Sequence, residues 1–321
     1  MLRTTVVGNY PKLPTEKGDV NIRRKLHQFD KKEITREELD QAFDQVTARV
    51  IREEIDAGID LPTDGQIRWD DIVSPFAAAG EGFKIGGLLR WFDNNVYYRR
   101  PQIVSRIRWS KPISVSDYLF AAAQAGRAVK QVLPAPYSFA MLSEDKFYHS
   151  LENTLADLVI LMREETKSLV AAGARCIQFD DPWLPYHPEH ASVAVAAINE
   201  VVKGINAEFW ISFYFSNIDK IIPQLKSLNV DVISADCVSH PSNLELLMRL
   251  GGDKNICFGL VDARNIKMES GNQLRSSYET IAAARADAYI SPSCGLEFLP
   301  NQHALAKIRL LGGSVKKFNG E

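Results

Sequence analysis

Cysteine and histidine are scarce in this chain, at four and six residues of 321. The cysteines, at positions 176, 237, 257 and 294, form no CxxC pair. That spacing excludes the dense disulfide framework of a small secreted domain and leaves reduced thiols as the expectation. No stretch reaches the roughly 18 consecutive apolar residues of a membrane span. The N-terminus opens as a strand and lacks the charged, apolar and small-residue segments of a leader, so a cytoplasmic protein is expected. Basic excess is missing too: the formal net charge is −2, which argues against a nucleic-acid surface and for small-molecule partners. Core material is plentiful, with 45% hydrophobic and 24% charged residues, the profile of a globular protein.

The dominant pattern is an alternation of short β-rich runs with helical segments. Runs at 4–7, 59–62, 129–133, 176–179, 209–213, 230–234, 256–260 and 288–291 are continuously apolar or nearly so. Such runs suit parallel strands covered on both faces, and eight strand-then-helix units are the number that closes a barrel. Helix punctuation agrees. Thr35 with Glu38 reads as a capping box before apolar positions at helical spacing that stop at Gly58. Ser242 with Glu245 reads as a second box, with Gly251 as its stop, and a helix from Leu151 to Ala172 ends at Gly173. The segment 74–111 breaks the alternation and is too long for an ordinary connection. The expected architecture is an α/β fold, a (β/α)8 TIM barrel over 1–321 as one domain, with 74–111 inserted after the second strand.

Active sites of such barrels gather at the C-terminal strand ends. The residues that follow the runs are Gly8, Asn9 and Tyr10; Asp64, Gly65 and Gln66; Pro136 and Tyr137; Asp180, Asp181 and Trp183; Tyr214, Ser216 and Asn217; Asp236 and Cys237; Asp262 and Arg264; Ser293 and Cys294. One pocket lined by Asn9, Asp64, Gln66, Asp180, Asp181, Trp183, Tyr214, Asp236 and Cys294 is expected. Each has a plainer role available. Asp180, Asp181 and Pro182 suit a chain turn and helix cap. Trp183 is either core or a ring face for a flat substrate. A lone cysteine such as Cys294 often serves as a small buried hydrophobe. Asp236, Cys237, His240 and Cys294 carry zinc-ligand chemistry, although in no recognised spacing.

Five motifs resemble cobalamin-independent methionine synthase, in order and over nearly the whole chain: TTVVGNYP, LPTDGQIRWDDI, RWFDNNVYYRRP, IQFDDPWLP and SPSCGLEFLP. The resemblance implies methyl transfer from a folate-type or other methyl donor to homocysteine, within methionine biosynthesis. That enzyme has two related barrels, and its catalytic zinc is held by His, Cys, Glu and Cys. The matching positions here are Ser212, Tyr214, Asp236 and Cys294, an incomplete set, so zinc is not assured as a cofactor. Motif by motif, RWFDNNVYYRRP, the YF of SFYFSN, GLVDARNIKM and SCGLEFLP look like the zinc-free N-terminal half. The resemblance therefore implies a separate zinc-bearing partner barrel. Among the homocysteine contacts it carries over, Gly8 and Asn9 stand for a Gly–Ser pair, Gln66 replaces a Glu, and Asp180 is kept. The folate-tail position falls at Arg23, with Val20 where the family has an arginine; Arg24, Lys25, Arg99 and Arg100 are nearby sources of charge. Two alternatives remain: a non-catalytic module binding a pterin or its polyglutamate tail, and a metal-free lyase like uroporphyrinogen decarboxylase, using Asp64 with Arg99 and Arg100.

Overall fold

The computed structural model describes residues 1–13, 18–250 and 254–320. Its strands are β1 Leu2–Thr4, β2 Glu81–Arg90, β3 Tyr97–Arg108, β4 Lys130–Pro134, β5 Glu144–Asp145, β6 Cys176–Asp180, β7 Glu208–Phe213, β8 Val232–Asp236, β9 Asn255–Val261 and β10 Ala288–Pro292. Seven of them form one parallel sheet in the order β1-β10-β9-β8-β7-β6-β4. The edges β1 and β4 are joined through residues 59–62. Leu61 pairs with Thr5 in a parallel bridge, its N–H donates to Thr4 O at 3.1 Å, and Lys130 N–H donates to Pro62 O at 2.9 Å. The eight-membered ring expected from the sequence thus closes, but its second member is a bridge and not a full strand. Proline has no N–H to give, and the Asp60 carboxylate takes the Thr4 N–H at 2.7 Å in place of a ladder bond.

The first strand starts two residues before the expected run 4–7 and overlaps it only at Thr4. Beyond Thr5 the chain is still buried, but side chains rising inside the barrel satisfy it: Lys130 Nζ donates to Val6 O at 2.7 Å, and Gln178 Nε2 to Val7 O at 2.8 Å. Lys130 is 1% exposed, donates also to Gln178 Oε1 at 2.6 Å, and lies 4.6 Å from the Trp210 ring. Leu61, Cys176, Trp210, Val232, Cys257 and Tyr289 form a cluster of their own around it, apart from the main core.

Segment 74–111 contains a short helix, Ser74–Ala79, and an antiparallel hairpin of β2 and β3, with β5 added in parallel to β3. The capping box of Thr35 and Glu38 is present, opening the helix Arg36–Asp56. The second expected box is not. Ser242 is already the first residue of the helix Ser242–Arg249, Pro241 caps it without a side-chain bond, and Asn217 Nδ2 donates to the Ser242 hydroxyl at 2.9 Å. Gly251, its expected stop, lies outside the described residues. The helix Leu151–Ala171 ends before Gly173, whose φ of +102° is the left-handed conformation a helix exit uses.

Candidate active site

The C-terminal ends of β6, β7, β8 and β10 bring a set of buried acids together. Asp180, the last residue of β6, is 4% exposed; it accepts from Gln178 Nε2 at 2.6 Å and from Tyr214 Oη at 3.1 Å. Burial pushes its carboxyl up to about 7, against the pull of those donors and Lys130. Asp236 closes β8 fully buried. Its Oδ1 accepts the Val238 and Ser239 N–H groups at 2.8 and 2.9 Å, while Oδ2 is buried without a partner. Cys294 is fully buried just past β10; burial holds its thiol well above the usual range, with the charges of Glu297 and Asp236 adding to the effect.

Glu297 is the residue that sequence reasoning missed, although its motif SCGLEFLP was in hand. Burial raises its carboxyl to about 8, opposed by its own backbone N–H and by Lys12. Its Oε2 is buried and unpartnered. Gly295 makes room for it, since a Cβ there would lie 2.1 Å from Glu297 Oε2 and 3.1 Å from Asn9 Cβ. Glu297 also raises the Tyr214 hydroxyl, after burial and Asp180. One electrostatic neighbourhood therefore holds Asp180, Tyr214, Cys294, Asp236 and Glu297. The signal in the sequence was an acid in the closing motif, which has no strong reason to be buried unless it is used.

The remaining predicted residues sit around this group. Gln66, 1% exposed with φ of +49°, leaves Nε2 without a partner, and its Oε1 would be 3.3 Å from a Cβ on Gly8. A left-handed non-glycine residue beside a cleft is the kind of strain that functional loops retain. Gly65 precedes it at φ +65°, where a Cβ would press on Val50 at 2.8 Å. Asp64 accepts the Gln66 N–H at 2.9 Å, and burial raises it to about 6. Asn9 holds the loop after β10 through Leu296 N–H to Asn9 O at 2.7 Å. Asp181 is tied back to the helix Pro136–Leu142. Ser138 Oγ donates to it at 2.5 Å and accepts the Trp183 N–H at 3.0 Å, the turn-holding role available to Asp180, Asp181 and Pro182.

Over this mouth lies the tip of the hairpin. Phe92, at φ +51°, packs on Trp183, Tyr186 and Phe215 with ring centroids 4.9, 5.7 and 5.1 Å away. Asp93 pairs with Arg264, from the loop after β9, at 2.8 Å, and Arg264 in turn lies 5.1 Å from the Phe215 ring. Trp183 Nε1 is buried and unpartnered beneath this cover. A cavity of about 720 Å3 opens beside the mouth, between the helix Ile22–Asp30 and the hairpin. Asn9 and Glu297 line both it and the acid group's flank, and Arg23, Arg36, Arg68 and Arg99 reach its walls. Arg24, Lys25 and Arg100 are not among its lining residues; Arg100 donates to Ser143 O at 3.1 Å. Arg68 is held by Asp40 and Asp44, so its charge is partly spent within the fold.

The four positions matched to zinc ligands hold Ser212, Tyr214, Asp236 and Cys294, with no histidine among them. Tyr214 is bonded to Asp180, Ser212 gives its carbonyl to Asp181 N–H, and Asp236 and Cys294 remain. The extra candidates point elsewhere: Cys237 Sγ donates to Ala235 O, and His240 Nε2 lies 3.3 Å from Phe215 O. Among the described residues, the trio whose ligand atoms all fall within 4.8 Å of one another is His187, Glu189 and His190. No helix among the described residues is long and apolar enough to cross a membrane.

Comparison with known proteins identifies the family. The model of the cobalamin-independent synthase catalytic domain matches residues 2–312. A methionine synthase of Saccharolobus solfataricus is 32% identical over 312 residues, covering 96% of this chain and 92% of its own length. One from Sulfurisphaera tokodaii is 32% identical over 311 residues, 96% of this chain and 90% of its own. Among solved structures, a B12-independent methionine synthase from Shewanella sp. W3-18-1 in complex with selenomethionine superposes with a TM-score of 0.84 at 22% identity. That match covers 99% of this chain and 98% of that one. A putative B12-independent methionine synthase from Listeria monocytogenes gives a TM-score of 0.75 at 16% identity, covering 100% and 98%. The matching model is that of the catalytic half, whereas the motif-by-motif resemblance favoured the zinc-free half. The whole-length match carries the conclusion: the chain belongs to the cobalamin-independent methionine synthase family.

Proposed function

We propose that this chain binds homocysteine in the barrel mouth and transfers a methyl group to its thiol without a zinc ion at the matched ligand positions. The observation that carries the reading is the bare, buried carboxylate oxygen Asp236 Oδ2, in the same electrostatic neighbourhood as Asp180. Buried acceptors without partners are costly, and an ammonium group supplies the donors and the charge they lack. The selenomethionine bound by the Shewanella relative is an amino acid of the same shape. In this reading Asp180 and Asp236 take the ammonium, and Gly8, Asn9 and Gln66 place the rest of the amino acid.

A catalytic zinc needs about three protein ligands. A carboxylate and a thiol held protonated by burial do not supply them, and Tyr214, its hydroxyl raised and committed to Asp180, is a poor third. Zinc does not fit this donor set. The thiol proton instead goes to Glu297. Its carboxyl, raised to about 8, matches the ordinary thiol value of about 8.5, the condition for efficient proton transfer. The S–H bond breaks with its pair left on sulfur and the proton passes to Glu297; sulfur takes the methyl group, the donor atom keeps the bonding pair, and the proton moves on from Glu297 to that atom, so the donor leaves as its neutral, demethylated form. The side cavity, with Arg23 and Arg99 on its walls, suits an anionic methyl donor such as a folate with its glutamate tail.

The same cavity favours the second reading, a non-catalytic module that holds such a donor for a separate zinc-bearing barrel. Titration calorimetry with homocysteine and with methyl-folate, beside an assay of methionine formation with and without such a barrel, separates the two. Binding of both ligands with methionine formed by the chain alone supports catalysis. Binding of donor but not of homocysteine leaves the module. One zinc per chain that disappears, with turnover, in Cys294→Ala would overturn the zinc-free reading.

A further inference from the structure

The loop after β6 carries a second cluster that the mouth does not use. Two single 3-10 turns, Leu184–Tyr186 and Pro188–His190, follow one another, each opening on a leucine–proline or proline step that fixes φ. Side chains three residues apart eclipse in a 3-10 turn. His187 and His190 therefore face each other, with ring centroids 5.9 Å apart and planes at 23°. Glu189 lies between them in sequence, and its Oε1 is 3.1 Å from His187 Nδ1. One ligand atom from each of the three falls within 4.8 Å of the others.

From this geometry we propose that His187, Glu189 and His190 form a binding site for a divalent transition metal of the zinc class, on the rim and separate from the acids of the mouth. Two imidazoles and a carboxylate are a complete three-ligand set with one open position, and the neutral nitrogen donors select zinc-like ions over magnesium or calcium. Bonds of about 2.0–2.2 Å place neighbouring tetrahedral ligands about 3.3 Å apart. The His187–Glu189 distance already has that spacing, and a modest closing of His190 completes the set. His190 is oriented by a neighbour in the manner of metal-bound histidines: its Nδ1 lies 2.9 Å from Tyr137 Oη. Metal binding selects the tautomer in which Nδ1–H donates to the Tyr137 oxygen and Nε2 is the ligand. His187 also stacks on Trp183, centroids 5.7 Å apart at 30°, so a metal here stiffens the loop that carries Trp183 under the hairpin tip.

The test uses the full chain, free of any histidine tag and stripped with a chelator. Cobalt(II) titrated into it is followed by its visible d–d absorption, and zinc by calorimetry and by the rise in Tm that ligation to the folded state produces. One equivalent should bind to the wild type and equally to Cys294→Ala. His187→Ala and His190→Ala should each weaken binding at least about tenfold, and Tyr137→Phe by about 10–100-fold as an outer-shell partner; circular dichroism checks that each variant is folded. No saturable binding to the wild type, or binding that survives the His187→Ala/His190→Ala double variant, overturns the proposal. Binding lost in Cys294→Ala but kept in His190→Ala overturns both this site and the zinc-free reading of the mouth. Rim binding intact with no methionine formed counts against the methyl-transfer reading alone.

Discussion

Inside the lower barrel the Lys130 ammonium is buried and donates to Val6 O and Gln178 Oε1, with the Trp210 ring beside it. At the mouth, Asp236 is buried just as deeply and Glu297 in part, yet each keeps one buried carboxylate oxygen bare. The two ends of one barrel bury charge under different constraints. Below, the Lys130 and Gln178 side chains are satisfied by the fold itself and tie the chain beyond β1 to β4 and β6. Above, satisfaction is incomplete, and the deficit has the sign and the donor demand of an ammonium ligand. Unpaired burial lowers stability, which is tolerated where a ligand later completes the set.

Breaking the lower end should have the largest effect. Lys130→Ala removes two charged hydrogen bonds and leaves Val6 O and Gln178 Oε1 unpaired, so unfolding in urea should show a loss of about 3 kcal/mol or more. A loss under about 1 kcal/mol would place Lys130 on the functional side of the comparison. Asp180→Asn keeps shape and most hydrogen bonding but removes the charge. Calorimetry should find homocysteine affinity reduced about 100-fold, with stability within about 1 kcal/mol of the wild type.

Glu297→Gln sharpens the comparison through pH. The folded carboxyl titrates at about 8 against an ordinary 4.5, so the folded state holds its proton more tightly than the unfolded one. The stability this contributes is complete below about pH 4.5 and is lost as pH rises toward 8; the Gln variant should not show that decline. Conversely, affinity for a cationic ligand should rise as Asp180 and then Glu297 ionise, near 7 and 8, and Glu297→Gln should flatten the upper step. A wild-type stability curve that rises between pH 5 and 8 to the same extent in both proteins would contradict this assignment. The smallest effect is expected at the hairpin tip. Asp93 is 71% exposed, so Asp93→Ala should change stability by no more than about 0.5 kcal/mol, while stopped-flow binding reports faster ligand release. Unchanged release would show that the Asp93–Arg264 pair does not hold the cover closed.

Seven of the eight expected strands were legible because continuous apolar runs with turn residues at their ends need no long-range information. The second, 59–62, was placed correctly but read as a strand; its side-chain pairing of Asp60 with Thr4 is not visible as periodicity. The second capping box failed for a similar reason. Ser242 and Glu245 have the right spacing, but Pro241 already starts the turn, and Asn217, distant in sequence, takes the hydroxyl. The hairpin of β2 and β3 was hidden by glycines and by exposed apolar residues such as Leu88, since its pairing and not its burial holds it.

The sequence by itself determined the ring of strands, the strand-end position of Asp180, Asp236 and Cys294, and the missing His and Cys, because residue type and local period specify these directly. Only the tertiary structure decided which of those groups face one another. It brought in Glu297, sent Asp181 back to Ser138, set the arginine-lined cavity to one side of the mouth, and stacked His187 on His190. The physical reason is that hydrogen-bond satisfaction and burial are properties of neighbours brought together from separate elements, as Ser138 and Asp181 are. A carboxylate's partners, or its lack of them, are fixed only when the barrel has closed.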